Sequence, residues 1–249
     1  MLNDKDLERY ARQVIMPAIG EEGQEKLLAA RVLVVGAGGL GAPVILYLAA
    51  AGIGTITIID DDYISLSDLN RQIIYRDGDV GASKSHHAAN AANTLNPNIH
   101  ISQLAVRLNS DNVEKLVTSH DVVIDCTDNF ETRFALNRVA HASGRPLVSG
   151  AATRWSGQVS VFASGVETGQ PCYQCFVPEA PPMAEACEDV GVVGPVTGIV
   201  ASHMALEAMK IITGAGRPLM GQVLILDGLS GVSRAVKLRQ DTDCPVCSA

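Results

Sequence analysis

The stretch Arg31 to Gly41, RVLVVGAGGLG, restricts what this chain can fold into more than any other part of its 249 residues. Val32 to Val35 are four consecutive apolar residues, the pattern of a strand buried on both faces. Gly36-Ala37-Gly38-Gly39-Leu40-Gly41 follows at the strand's C-terminal end and fits G-x-G-x-x-G. Ala42 to Ala51 is rich in Ala and Leu and reads as a helix. In that order, backbone N–H groups and the positive end of the helix face a ligand phosphate, and side-chain-free glycines allow close approach. A second strand, from TITIIDDD at 55–62, ends in Asp60, at the distance where an acid grips a ribose hydroxyl. The expectation is a Rossmann-like nucleotide site.

Composition excludes several other classes. Hydrophobic content of 47% with 18% charged residues suits a well-buried core rather than a disordered chain. A net charge of −8 argues against nucleic acid as the main partner, because binding it requires cations for the phosphates. No apolar run reads as a membrane span, and the charged start MLNDKDLERY is no signal peptide, so a cytoplasmic protein is expected. Six cysteines in that compartment point to metal binding or catalysis rather than a disulfide framework.

Residues 3–29 are helix-prone, broken at Pro17 and Gly20, and carry Arg9 and Arg12 on nearly the same helical face. Beyond Asp60, the carboxylates Asp61 and Asp62 would repel one another without a cation nearby. Asp62 either helps to hold Mg²⁺ or caps the next turn. Arg71 can fork two phosphate oxygens, which suits a triphosphate better than a nicotinamide cofactor. Lys84 opens another helical stretch and is either a second phosphate contact or a surface lysine. A strand over Ile99 to Leu104 and a helix over 110–119 lead to the strand Asp121 to Asp125. Cys126-Thr127-Asp128-Asn129 then sits on the same rim as Gly36 and Asp60, where open α/β sheets bind ligands. Asp128 is a candidate Mg²⁺ carboxylate; alternatively it caps the helix Phe130 to Ser143, which Asn129 can do instead. Cys126 reads as a packed thiol.

Past strands at 146–149 and 157–163 the βα alternation gives way to a helix over Ile199 to Ile212. A hairpin at Gln222 to Asp227 and Val232 to Leu238 follows. No linker divides the chain, so a single domain is expected over 1–249. Cys172-x-x-Cys175 and Cys244-x-x-Cys247 supply four thiolates suited to tetrahedral Zn²⁺, a staple from the chain's end to its middle; two redox motifs are the alternative. Cys187 lies in a Pro-, Glu- and Ala-rich loop. It is either inert or a nucleophile blunted by Glu185, Glu188 and Asp189.

Arg9-Tyr-x-Arg12-Gln13, the GAGGLG loop, Ser67-x-Leu69-x-Arg71-Gln72, Lys84, CTDN at 126–129 and the two C-x-x-C pairs occur in one order across essentially the whole chain. That assembly is similar to the bacterial MoeB/ThiF adenylyltransferases, relatives of the ubiquitin-activating enzymes. The resemblance implies a parallel nucleotide-binding half with antiparallel C-terminal strands and a zinc staple: a helical arm over 1–30, nucleotide binding over 31–150, and carrier binding, crossover loop and zinc over 151–249. It also implies a homodimer that uses ATP and Mg²⁺ to adenylylate the C-terminal glycine carboxylate of a ubiquitin-like sulfur carrier, that of molybdopterin or of thiamine synthesis. Gly36, Gly38, Gly39 and Gly41 would lie against the nucleotide and Asp60 on the ribose. Ser67, Asn70, Arg71, Lys84 and Asn129 would line the ATP site, Asp128 with Asp62 nearby would hold Mg²⁺, and Arg12 would enter the partner subunit's site.

One departure stands out: the family usually has Asn where this chain has Asp68, a carboxylate that must pair with Arg71 or turn away. Cys187 matches the crossover-loop cysteine that joins sulfur transfer in ThiF-like members, and with no rhodanese-like segment after Cys247 a separate sulfur donor is implied. The acidity at 60–62 and VVGPV at 192–196 lean towards thiamine, while CFVPEAPP suits molybdopterin enzymes equally. An NAD-dependent oxidoreductase would explain the glycine loop and Asp60 but leave Arg71, Lys84 and the cysteine pairs idle. A non-catalytic scaffold has Asp68 as its one hint.

Overall fold

The apolar runs become the centre of a mixed sheet. β1 (Arg31–Val35), β2 (Thr55–Ile59), β3 (His100–Leu104), β4 (Val122–Asp125) and β5 (Leu147–Thr153) are parallel, and β6 (Ser156–Phe162), β7 (Gln222–Asp227) and β8 (Val232–Lys237) continue antiparallel. The computed structural model describes residues 1–180 and 190–248, and the strand order is β3-β2-β1-β4-β5-β6-β7-β8. Order reverses between β1 and β4, which opens a crevice at the carboxyl ends of those strands.

Because side chains alternate along a strand, the apolar run 32–35 feeds two cores. Val32 and Val34 join Ile56, Ile58 and Ile124 beneath α3 (Gly41–Ala51), α4 (Lys84–Leu95) and α8 (Gly194–Thr213). Leu33 and Val35 join Ile59, Val123 and Leu147 beneath α5 (Val113–Thr118) and α6 (Phe130–Ala142). Burial on both faces explains why these strands read as continuous apolar runs. The hairpin strand β8 is exposed throughout and ends the sheet.

The expectation of no membrane-length apolar run needs one correction. α8 has the length and composition of a span, but half of its apolar window is buried in the protein, with Val200, Met204 and Ala208 in the first core. It is a core helix. Its start at Gly194, ahead of the run read from Ile199, follows from Pro195, whose fixed φ suits a first helical turn. α5 is shorter than the 110–119 read from sequence because Asn109 and Asn112 build turns with the backbone of residues 109–111.

The N-terminal arm is α1 (Asp4–Val14), opened by a reciprocal Asn3–Asp6 capping box, and α2 (Gly20–Ala29). It packs on the rim opposite the crevice. Tyr10 Oη accepts from Asn96 Nδ2 at 2.8 Å, and Gln13 and Gln24 both donate to Ala51 O at the end of α3. The chain's end returns to its middle: Cys244 and Cys247 pack against Cys172 and Cys175, the latter in the short helix α7 (Tyr173–Phe176).

Candidate active site

The glycine loop crosses from β1 to α3 with almost no room for side chains. Gly36 has φ +93°, and a Cβ on Gly41 would lie 1.9 Å from Gly36 O. Gly41→Ala must therefore shift the loop, and calorimetry is expected to show nucleotide affinity falling by about tenfold or more. Wild-type affinity in that variant would mean that the loop is not the phosphate cradle.

Asp60, the expected ribose acceptor, has a structural task of its own. Its Oδ2 accepts from Ala37 N at 2.7 Å and its Oδ1 from Asp62 N at 2.8 Å, so it shapes the loop while each oxygen keeps a second acceptor direction. Burial raises its pKa against the pull of those two N–H groups and Lys84. Tyr75, not singled out from sequence, ties the other side: its buried hydroxyl donates to Ala37 O at 2.7 Å and is 3.2 Å from Lys84 O. A tyrosine ending the otherwise apolar run Ile73-Ile74 was its available signal.

The two candidate phosphate cations share one carboxylate. Asp68 Oδ1 lies 3.2 Å from Arg71 NH2 and Oδ2 lies 3.5 Å from Lys84 Nζ, while Asp62 pairs with the same ammonium at 3.1 Å. The repulsion expected among the acids at 60–62 is thus met by Lys84. Burial lowers the tendency of Lys84 to hold its proton, but Asp62, Asp68 and Asp60 outweigh it and raise the pKa. Burial pushes the Asp68 carboxyl up, yet the Ser65 N–H, Lys84 and Arg71 together hold it below the usual value. Asp68 therefore pairs with Arg71, as its position required.

Across the cleft, Asn129 Oδ1 accepts from Thr132 N at 2.9 Å and is the cap of α6. Asp128 is thereby spared that task; it is exposed on the cleft, with no hydrogen bond or ion pair to another described residue. Its loop is held from behind. Buried Asp125 accepts from Thr127 N, Thr127 Oγ1 and Ser149 Oγ at 3.0, 2.6 and 2.9 Å. Arg133 donates to Thr127 O and to Gly150 O, and lies over the Tyr173 ring. Sequence reasoning missed Asp125 and Arg133; an acid closing the apolar strand VVID and a cation four residues after the cap were the signals.

These parts line one cleft of about 740 Å³, which brings together Gly36, Gly38, Gly39, Asp60, Asp62, Arg71, Lys84, Asp128 and Asn129. Gly41, Ser67 and Asn70, expected against the nucleotide, do not line it. Arg71 NH1 donates to Ser67 O at 2.9 Å and to Asn70 Oδ1 at 3.3 Å, so those two residues steer the guanidinium. Arg12 is exposed on α1 and does not line this cleft. Cys187 lies outside the described residues, and Cys126 is buried as read.

The four paired cysteines form a separate cluster. Cys172 and Cys244 sulfurs are 3.6 Å apart, Cys175 and Cys247 3.4 Å, and Cys172 and Cys175 4.0 Å. These are too long for disulfides and bracket the ~3.8 Å between sulfurs around a tetrahedral ion with Zn–S of about 2.3 Å. N–H donors from Asn137, Gln240 and Asp241 point at three of the sulfurs, where they would stabilise negative charge on sulfur.

The family model described as ThiF family matches residues 10–246. The chain is 42% identical over 247 residues to the sulfur carrier protein adenylyltransferase of Thermus thermophilus, covering 98% of this chain and 91% of the relative. It is 40% identical over 246 residues to the sulfur carrier protein ThiS adenylyltransferase of Escherichia coli, covering 99% and 97%. Among solved structures, E. coli MccB with MccA-N7isoASN has a TM-score of 0.85 at 22% identity, covering 99% of this chain and 76% of that one, a likeness of fold.

Proposed function

The chain belongs to the ThiF family, and from that membership we propose that it uses ATP to adenylylate the C-terminal glycine carboxylate of a ubiquitin-like sulfur carrier. The observation that carries this reading is the convergence of Arg71, Lys84 and Asp128 on one cleft beside the glycine loop.

The chemistry needs those groups. A carrier carboxylate oxygen attacks the α-phosphorus of ATP, and the bond to the bridging oxygen breaks. Pyrophosphate leaves with the bonding electrons and the carrier keeps AMP as a mixed anhydride. The nucleophile is ionised at neutral pH, so no general base is required. Two anions must approach, and Arg71 and Lys84 offset their repulsion and hold the phosphates in line. The N–H groups of the glycine loop and the N-terminus of α3 face the phosphates, and Asp60 accepts from the ribose. Asp128, with Asp62 nearby, would hold Mg²⁺, which supplies charge neutralisation at the phosphates.

Arg12, exposed and away from its own cleft, enters the cleft of a second copy in a homodimer. The four cysteines would hold Zn²⁺ with no open position, so that ion supplies stability rather than chemistry. A separate sulfur donor then displaces AMP from the carrier, and the reaction is set in the cytoplasm, where thiols stay reduced. Adenylylation itself calls on no thiol nucleophile, so Cys187→Ala is expected to retain wild-type pyrophosphate exchange; loss of exchange would place Cys187 in the first half-reaction. The reading as a whole is tested by mass spectrometry of each carrier after incubation with ATP and the protein. AMP on the C-terminal glycine is expected, and unmodified carriers alongside ATP binding would overturn it.

A further inference from the structure

The cations that face the phosphates are already neutralised, and unequally so. Lys84 is shared between Asp62, whose side chain is 68% exposed, and Asp68, whose side chain is 7% exposed. Asp62 can swing off Lys84 when a triphosphate and its Mg²⁺ arrive. Asp68 cannot do so cheaply: besides the two cations, its oxygens accept from Ser65 N at 3.0 Å and Gln72 Nε2 at 2.8 Å, and its own carbonyl closes the turn by accepting from Arg71 N and Gln72 N. Gln72 is itself buried on the cleft wall, with no hydrogen-bond partner at Oε1 among the described residues.

We propose that Asp68 is a resident counter-anion, a positioning residue that keeps Arg71 and Lys84 aimed at the phosphates and limits how tightly they hold ATP and pyrophosphate. This rests on the adenylyltransferase reading and assigns a role within it to the carboxylate that Arg71 and Lys84 share. The two effects have one cause. A fixed carboxylate orders two flexible cations before the substrate binds, which favours an in-line geometry. The same charge opposes every phosphate, bound or leaving, so it weakens ground-state and product binding together.

Asp68→Asn removes the charge behind both effects and keeps the shape: the amide oxygen still accepts from Ser65 N, and its NH2 can donate to Gln72 Oε1 once the Gln72 amide turns over. Calorimetric affinities for ATP and pyrophosphate, and kcat and KM for carrier-dependent AMP transfer, are compared with wild type, together with melting temperature. The expected result is tighter binding of both ligands by about tenfold, the scale of one carboxylate's repulsion across a partly solvated cleft. KM for ATP falls, and kcat falls with it because pyrophosphate lingers and the cations are less ordered. A merely structural role would loosen binding instead. If the amide variant is recovered unfolded, Asp68→Ser removes the charge, keeps an acceptor, and is held to the same expectation. Unchanged or weaker ATP binding in a folded variant overturns the role of Asp68 alone. Wild-type protein that does not bind ATP overturns the functional reading and this role with it.

Discussion

Asp128→Ala is expected to lower carrier-dependent ATP–pyrophosphate exchange by at least about a hundredfold, the usual scale for losing a group that organises charge at a transferring phosphoryl. Its melting temperature is expected to stay within about a degree or two of wild type, because exposed substitutions away from structural contacts cost little. The structure explains why these outcomes go together. Asn129 caps α6, and Asp125 with Arg133 holds the loop, so the Asp128 side chain has no structural task among the described residues. Wild-type exchange in the variant would remove Asp128 from the mechanism. A large fall in melting temperature would show that its carboxylate supports the fold instead.

The second large effect concerns the sulfur cluster. Stripping metal with a chelator, or replacing Cys244 by Ser, is expected to lower the melting temperature by about 10 °C before it changes the chemistry. The cluster closes a long loop, tying residues 172–175 to 244–247. Opening such a closure costs about 4 kcal/mol in chain entropy by analogy with a disulfide, and each kcal/mol moves the midpoint of a chain this size by about 2–4 °C. Loss is expected first in the C-terminal segment beyond β8, where hydrogen exchange should accelerate. An unchanged midpoint after verified removal of the metal would contradict the staple.

The parallel half of the sheet was legible because its signals are local. RVLVV, TITII and VVID are apolar runs of strand length, and each is followed by residues with a physical reason to stop: glycine, paired acids, a cap. The order of these strands placed Gly36, Asp60 and Asp128 on one rim without coordinates. β5 was less legible. Sequence marked its first residues, but the strand runs on to Thr153 through Gly150-Ala151-Ala152, which have weak intrinsic strand preference and are held by pairing with β6. Support behind the site was illegible for a related reason. Besides local bonds around Thr127, Asp125 reaches Ser149, Arg133 reaches Gly150 and Tyr75 reaches Ala37, and nothing in their immediate neighbours names those distant partners.

Asp68 shows the difference in one residue. From sequence it was a carboxylate placed badly for phosphates; the fold makes it a shared partner of Arg71 and Lys84. The arm over 1–30 is the converse case. Its helices were readable, and the structure docks them on the rim away from the cleft through Tyr10, Gln13 and Gln24, leaving Arg12 exposed. The proposed action across a dimer would give that arginine its use, and gel filtration with an Arg12→Ala variant checks it: loss of exchange without loss of ATP binding is expected.

The most direct measurement is ATP–pyrophosphate exchange with the molybdopterin carrier, with the thiamine carrier and with neither. Exchange that depends on one or both carriers, and on a free C-terminal glycine carboxylate in them, is the predicted result and names the pathway served. ATP binding without exchange in the presence of either carrier would contradict carrier adenylylation.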